Sequence, residues 1–435
     1  MTPVESWGRL SHEPHVRVPL QHVDQVPFQL VRSAPGIAYG AGRSYGDVAL
    51  NPHGTVWATG GLNRFIRFEA DTGVLRCEAG VLLRQIQRFA VPRGWMLPVT
   101  PGTQIVTVGG AIANDVHGKN HHIAGSFGNH VRQIRLARSD GGLRDIAPQG
   151  PFAALFAATV GGLGLTGVMT EVELQLQRVD GPWLNTETIP FDSLEQFFRL
   201  NQASESAGWT YTVAWIDCLS YREGTRGIFL RANSAKDVVR PAPRLRERHM
   251  PFTPPVSLVN RFSLRLLNWA YYRTHRAKAG SNVQHYEPFF YPLDNVHGWN
   301  QMYGPSGFYQ YQSVVPHHNG PEATQAMLSA IGTSDEGSFL AVLKTLGDVP
   351  AAGMLSFARP GITLALDFPN RGAKTHALMS RLDAIVHEAG GRVYLAKDAR
   401  LPRARFQASY PNLDEFLPHR DPGISSAMSR RLMGT

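Results

Sequence analysis

Cysteine is almost absent from this chain: Cys77 and Cys218 are the only two in 435 residues. They share no CxxC or other metal-type spacing, which predicts two reduced thiols in a cytoplasmic protein and no metal site. Charge is sparse too, at 18% against 43% hydrophobic residues, the balance of a folded globular protein. No apolar stretch opens the N-terminus, so no signal peptide is expected. One uncharged run, Phe152 to Met169, is long enough to raise the question of a membrane span. Gly161, Gly162, Gly164 and Gly167 crowd its second half, and each would cost a helix about 1 kcal/mol. A buried glycine turn leading into a strand is expected instead. Internal repeats and low-complexity tracts are missing as well.

Glycine and proline, by contrast, are plentiful at 43 and 30 residues. That favours turns and strands over a helical bundle, and the length predicts two domains. Residues 1–180 read as short strands between glycine turns. Thr55–Thr59, Leu75–Ala79 and Val168–Leu176 are expected strands, and Val81–Phe89 follows a helical period. After Asp180 aromatic residues become frequent, at Trp209, Tyr211, Trp215 and Tyr221. Tyr211–Asp217, Gly227–Arg231, Tyr309–Val315, Ser338–Leu343 and Gly361–Phe368 read as strands, with helices at 321–332 and 371–389. The expected class is α+β, with residues 181–390 forming an antiparallel sheet with helices on one face. Residues 391–435 carry a further polar motif, YLAKDAR.

The net charge of +9 is local. Residues 231–278 hold eleven Lys and Arg against two acids, Asp237 and Glu247, a balance equal to that of the whole chain. The segment reads as a flexible insert ending in a helix, Val259–Lys278. Arg261, Arg265 and Arg276 form one stripe on it, beside Phe262, Leu266 and Trp269. Such a helix suits a membrane surface or simple packing on its own domain. No nucleic-acid motif accompanies it, so nucleic acid is not an expected partner.

The stretch Val106–His130, VTVGGAIANDVHGKNHHIAGSFGNH, has five glycines and four histidines and no helical or strand period. Backbone without side chains can approach a ligand closely. Two loops, Tyr39–Asp47 and Pro101–Gly110, suit a pyrophosphate held by consecutive backbone N–H groups. Neither has the GxGxxG spacing of a dinucleotide fold. For His121, His122 and His130, hydrogen bonds that structure the loop are expected over metal ligation.

The motifs GRSYGD (42–47), LPVTPGTQIVTVGGAIANDVHGKNHH (97–122), AGSFGNHV (124–131), ATVGGLGLTG (158–167), YGPSGFYQYQ (303–312) and YLAKDAR (394–400) occur in this order. With them the chain resembles the vanillyl-alcohol-oxidase, or PCMH-type, FAD-binding family. Within it, the chain is similar to the decaprenylphosphoryl-β-D-ribose 2′-oxidases, the flavin half of a 2′-epimerase that makes arabinose donors. The resemblance implies an FAD-binding domain over 1–180 that residues 391–435 return to complete. It implies a cradle of Ala38, Tyr39, Gly40, Ala41, Gly42, Arg43, Ser44, Tyr45, Gly46, Asp47, Val48, Gly102, Thr107, Val108, Gly109, Gly110, Asn114, Asp115, Val116, His117, Met169 and Tyr394. Arg43 stands where many relatives carry the histidine that bonds flavin covalently, so the FAD is expected to be dissociable.

Lys397 and His117 are the catalytic candidates the resemblance favours: a lysine as base or oxygen-positioning cation, a histidine as proton relay. By itself Lys397 would suit a salt bridge with Asp398. Tyr45, Gln310, Gln312, Lys344, Thr363, Ala365 and Lys397 match the family's substrate pocket. Amides suit sugar hydroxyls because they both donate and accept. The chain departs from the family at Thr363 and Ala365, where an amide and a thiol are usual, and at Phe290–Tyr291. The implied reaction is FAD-dependent oxidation of C2′ of a lipid-linked ribose phosphate, with a separate NADH-dependent short-chain reductase as functional partner. Contact with the inner membrane surface would follow. A soluble alditol, sugar or aldonolactone is the alternative substrate, and a flavin-free binding protein the alternative class.

Overall fold

A computed structural model describes residues 2–220, 224–243, 246–334 and 336–434. Tyr221, and Arg244 of the basic insert, lie outside these ranges. Three larger sheets organise the described residues. The first has the strand order Thr2–Pro3, Pro14–Pro19, Thr55–Ala58, Gly36–Tyr39, with its last three strands parallel. The second is antiparallel, in the order Phe65–Glu69, Val74–Glu78, Val168–Gln175, Val131–Ala137, Leu143–Ile146. Its central strand buries alternate residues, Val168, Thr170, Val172 and Leu174, as the VMTEVELQ pattern demands. The third has eight strands, all paired antiparallel, running from Gly280–His285 at one edge to Arg392–Val393 at the other.

Helices Leu194–Ser206, Gly320–Thr333 and Ala373–Glu388 cover one face of the eight-stranded sheet. Ala214 and Ile216 point into the core beneath them, whereas Trp215 packs with Ile228 and Tyr272 on the other face. The helix Arg261–Arg276 lies on that second face, against Trp183–Phe191 and Gly227–Ser234. Helices therefore cover both faces, where the pattern had suggested one. Alternation along a strand reveals two faces but not which helix each receives.

The strand expected at Ser338–Leu343 begins later, at Val342–Leu346. Ser338 turns back instead, donating from Oγ to Leu340 O at 2.9 Å. Phe152–Met169 forms a short helix, Ala153–Thr159, then a turn with positive φ at Gly161, Leu163, Gly164 and Gly167, then a strand. No helix among the described residues is long and apolar enough to cross a membrane.

The end of the chain packs on its beginning. Gly36 donates to Gly423 O at 3.0 Å, Ser425 to Gly36 O at 2.9 Å and Ala427 to Leu50 O at 2.7 Å. Arg431 then reaches both Asp47 and Asp398, at 2.8 and 2.9 Å. The first glycine loop is thus fixed by residues almost four hundred positions later.

Candidate active site

A cavity of about 790 Å³ opens between the glycine loops and the second face of the eight-stranded sheet. That is the size range of cofactor and ligand sites. One side is formed by Ala38–Gly46, Gly102, Thr107, Gly109, Gly110, Asn114, Val116, His117, Met169 and Tyr394. The opposite side carries Gln310, Gln312, Lys344, Thr363, Ala365 and Lys397. Val48 and Tyr45 line it as well.

Three expected cradle residues stand behind this wall. Asp47 is turned to Arg431. Val108 is fully buried in the core of the second sheet. Asp115 is a buried hub, accepting from Ser126 Oγ at 2.6 Å, Ser356 Oγ at 2.5 Å and Gly128 N at 2.8 Å. Burial pushes its carboxyl pKa up against the pull of these donors. Its role in this structure is to hold the loop, not to line the cavity.

The glycine wall fits a pyrophosphate. Around Gly102, nothing lies within 4 Å of where a Cβ would stand, and at Gly110 only Thr107 Oγ1 comes near, at 3.0 Å. A side chain at either would fill cavity space. Gly42 adopts a φ of +63°, a conformation costly for other residues. Thr107 caps the helix Val108–Ala113, its Oγ1 accepting from Gly110 N at 3.1 Å. Two buried polar atoms of wall residues, Arg43 Nε and Asn114 Oδ1, have no partner within the protein. Buried polar groups are rarely left so, and both suit a polar ligand. The Arg43 guanidinium lies 3.9 Å over the Trp7 ring.

The opposite wall is made by register. Strands Val342–Leu346, Gly361–Pro369 and Phe308–Val315 are neighbours. Lys344 pairs with Thr363, Gln312 with Ala365, and Gln310 with Asp367. One face of three strands therefore carries Gln310, Gln312, Lys344, Thr363 and Asp367, and Lys397 joins them from the segment after Arg392–Val393. Gln310 Nε2 donates to Asp367 Oδ1 at 2.6 Å, and the Gln312 amide lies 3.2 Å from Thr363 Oγ1.

His117 joins the two walls. Its Nε2 is 2.8 Å from Gln312 Nε2 and its Nδ1 is 3.2 Å from Lys344 Nζ. Burial holds its pKa well below the ordinary histidine range, and Lys344 and His121 push the same way. The ring is therefore neutral, with a single N–H. When the Lys344 ammonium donates to Nδ1, Nε2 carries the hydrogen, and the Gln312 amide turns to present its oxygen to both that N–H and the Thr363 hydroxyl, which then donates to it. His117 thereby orients both partners.

Lys397 makes no salt bridge with its neighbour, because Asp398 is engaged by Arg431 and by the Arg400 and Leu401 amides. Its Nζ sits 3.9 Å over the Tyr45 ring, a cation–π contact. Burial lowers the Lys397 pKa to about 7, with nearby Lys344 adding to the fall and Asp367 opposing it. Lys344 falls to about 8 through burial. Both lysines line the cavity.

Two site residues escaped the sequence reading. Asp367 is fully buried at the end of the Thr363, Ala365, Asp367 alternation, which the period of two already implied. Burial raises its pKa to about 7. Lys119 lies within HGKNHH and donates to Phe289 O at 2.8 Å and Phe290 O at 3.0 Å. Those partners are distant in sequence, so only the fold reveals them. At the departure Phe290–Tyr291, Tyr291 is buried with its hydroxyl 2.8 Å from Thr100 Oγ1.

A two-part flavin cradle facing a polar pocket defines an FAD-dependent oxidoreductase of the PCMH type. A family model described as an FAD binding domain matches residues 29–147. The chain is 39% identical to a decaprenylphosphoryl-β-D-ribose oxidase of Mycolicibacterium smegmatis over 91% of its own length and 88% of that protein's. It is 33% identical to an uncharacterized protein of Streptomyces coelicolor, over 81% of this chain and all of the other. A D-lactate dehydrogenase of Archaeoglobus fulgidus is 29% identical over 39% of each chain. The chain belongs to the decaprenylphosphoryl-β-D-ribose oxidase family, and its cofactor is FAD.

Proposed function

We propose that the protein oxidises the C2′ hydroxyl of a polyprenyl-phosphoryl-β-D-ribose to the 2′-keto sugar, the first half of a ribose-to-arabinose epimerisation. A separate NADH-dependent reductase completes that change. The observation that carries this reading is the convergence of Gln310, Gln312, Lys344 and Lys397 on one cavity wall facing the glycine loops. Two amides suit neighbouring sugar hydroxyls, and Lys344 suits the phosphate. Lys397, neutral above about pH 7, takes the hydroxyl proton. His117 fixes the tilt of Gln312 and Lys344. Bound FAD supplies the hydride acceptor. The flavin is held without a covalent bond, since the guanidinium of Arg43 forms none.

The substrate's lipid calls for a membrane surface, and the helix Arg261–Arg276 offers one. Phe262, Leu266, Leu267 and Trp269 are exposed, Phe262 by 81%. Arg265, Arg273 and Arg276 are exposed among them. Exposed apolar residues ringed by cations suit an anionic bilayer. Arg261 leaves the expected stripe: it donates to Ser334 O and Gly332 O at the end of Gly320–Thr333. Tyr271, His275 and Lys278 of the same region line the cavity, so the helix borders its entrance.

The deciding measurement is anaerobic bleaching of the flavin. A prenyl-phosphate ribose bleaches it rapidly, while free alditols and aldonolactones do not. Rapid bleaching by the soluble compounds alone would replace the proposed substrate. Lys397→Ala retains FAD and loses bleaching.

A further inference from the structure

Outside the flavin cavity, one group of side chains remains without a task. Glu247, His249 and His297 bring their ligand atoms within 4.8 Å of one another, the one such metal-competent group among the described residues. We propose that these three residues form a binding site for a divalent d-block cation, Zn²⁺ fitting best, that clips the basic insert to the segment walling the flavin cavity.

The geometry follows from two very short strands. Arg248–His249 pairs in parallel with Val296–His297, and His249 stands opposite His297. The pairing is held by Arg248 N donating to Asn295 O at 2.8 Å and Met250 N to His297 O at 2.9 Å. Cross-strand partners share a face, and so do residues two apart on extended chain, which places Glu247 beside His249. The two imidazoles lie nearly parallel, their centroids 4.5 Å apart.

Two further observations point to a ligand. His297 Nε2 is shielded from solvent and makes no hydrogen bond. The nearest carboxylate oxygen, Glu247 Oε2, is 3.4 Å from it. Donors at zinc's bond lengths in a tetrahedron sit about 3.3 Å apart, so this pair already has the spacing of one edge. Two imidazoles and a carboxylate, with remaining positions open to water, are a familiar set for zinc and its neighbours and a poor one for Mg²⁺ or Ca²⁺. The adjoining hollow is lined by Arg84 and Arg88 but also by Glu247, Glu287 and Asp294, so acids outnumber arginines there.

The position gives the ion a mechanical effect. Pro292, Leu293, Asp294 and Trp299 line the flavin cavity immediately before and after His297. Across the other strand runs the insert that leads to the apolar, basic helix. An ion at this point reinforces a pairing of only two residues a strand, at the end of the insert remote from the Leu258 N to Met302 O bond at 2.8 Å.

The test uses the flavin-loaded protein, stripped with a chelator and dialysed against Zn²⁺ in the presence of excess Mg²⁺. The parent should hold one zinc per chain, and Zn²⁺ should slow tryptic cleavage after Arg246 and Arg248. His249→Ala and His297→Ala should hold none and be cut at the same rate with or without Zn²⁺, while Glu247→Gln binds more weakly. Unchanged flavin content in each variant confirms folding, since all three residues lie outside the cavity. A parent that holds no zinc overturns the proposal. So does a His249→Ala, His297→Ala double variant that holds as much as the parent. The result is independent of which sugar the flavin site oxidises.

Discussion

Single atoms decide how the cavity works. A Cβ on Gly46 would collide with the backbone of Asp398 and Ala399, so Gly46→Ala should disrupt the joint between the first loop and the Lys397 segment. Gly102→Ala meets no protein atom and should fold normally, yet its methyl group enters cavity space. Fluorescence titration with FAD should show weaker binding for Gly102→Ala at an unchanged thermal midpoint. Equal affinity would place the dinucleotide away from this loop. Lys397 provides a second check. Its pKa is lowered to about 7, so the neutral form grows as pH rises through 7, and the rate of flavin reduction should rise and then level off. Asp367 favours the charged lysine, so Asp367→Asn should move this rise to lower pH. A rise at unchanged pH would remove Asp367 from the proton balance.

Among elements, the clamp of Arg431 is the most vulnerable. It joins the helix Ala427–Met433 to the half-buried Asp47 and the buried Asp398. Burial raises the Asp47 pKa while Arg431 opposes it. Removing one partner of such a pair leaves unpaired charge inside the protein, a cost of about 3–5 kcal/mol. Arg431→Ala should lower the thermal midpoint and release FAD, whereas Arg430→Ala, on an exposed side chain of the same helix, should lose much less. Differential scanning calorimetry with flavin absorbance reads both. This clamp was invisible in the sequence, because nothing in a lone arginine names partners so far away. The elements themselves were legible. Val168–Gln175 and Phe308–Val315 were marked by composition and alternation, and Leu83–Ala90 by its helical period. The glycine loops, Gln310 and Gln312 were read through the motifs that contain them, and Lys344 through its match to the family's pocket position. Asp115 shows the limit of that reading: a motif preserves ligand contacts and loop-holding contacts alike, and only coordinates separate them.

At the scale of the molecule, charge and apolar exposure coincide at one place. The insert that carries the whole positive excess ends in the helix with the exposed Phe262, Leu266, Leu267 and Trp269. Flotation with anionic vesicles should carry the protein up the gradient at low salt and release it at high salt. Replacing Phe262 and Leu266 with Ser, and Arg265 and Arg276 with Glu, should abolish flotation while leaving flavin content intact. Retained flotation would assign the face to packing alone.

The interlock of first and last segments also sets an order in biosynthesis. Tyr394 donates its hydroxyl to Asn114 O at 2.7 Å, and Ala396 accepts from Tyr45 N at 3.1 Å. A nascent chain still lacking these residues has its glycine loops without the contacts that brace Asn114 and Tyr45, however long it waits on the ribosome. Flavin capture therefore waits for residues 394–396, and a chain cut short before them should be colourless even though every early glycine loop has been made.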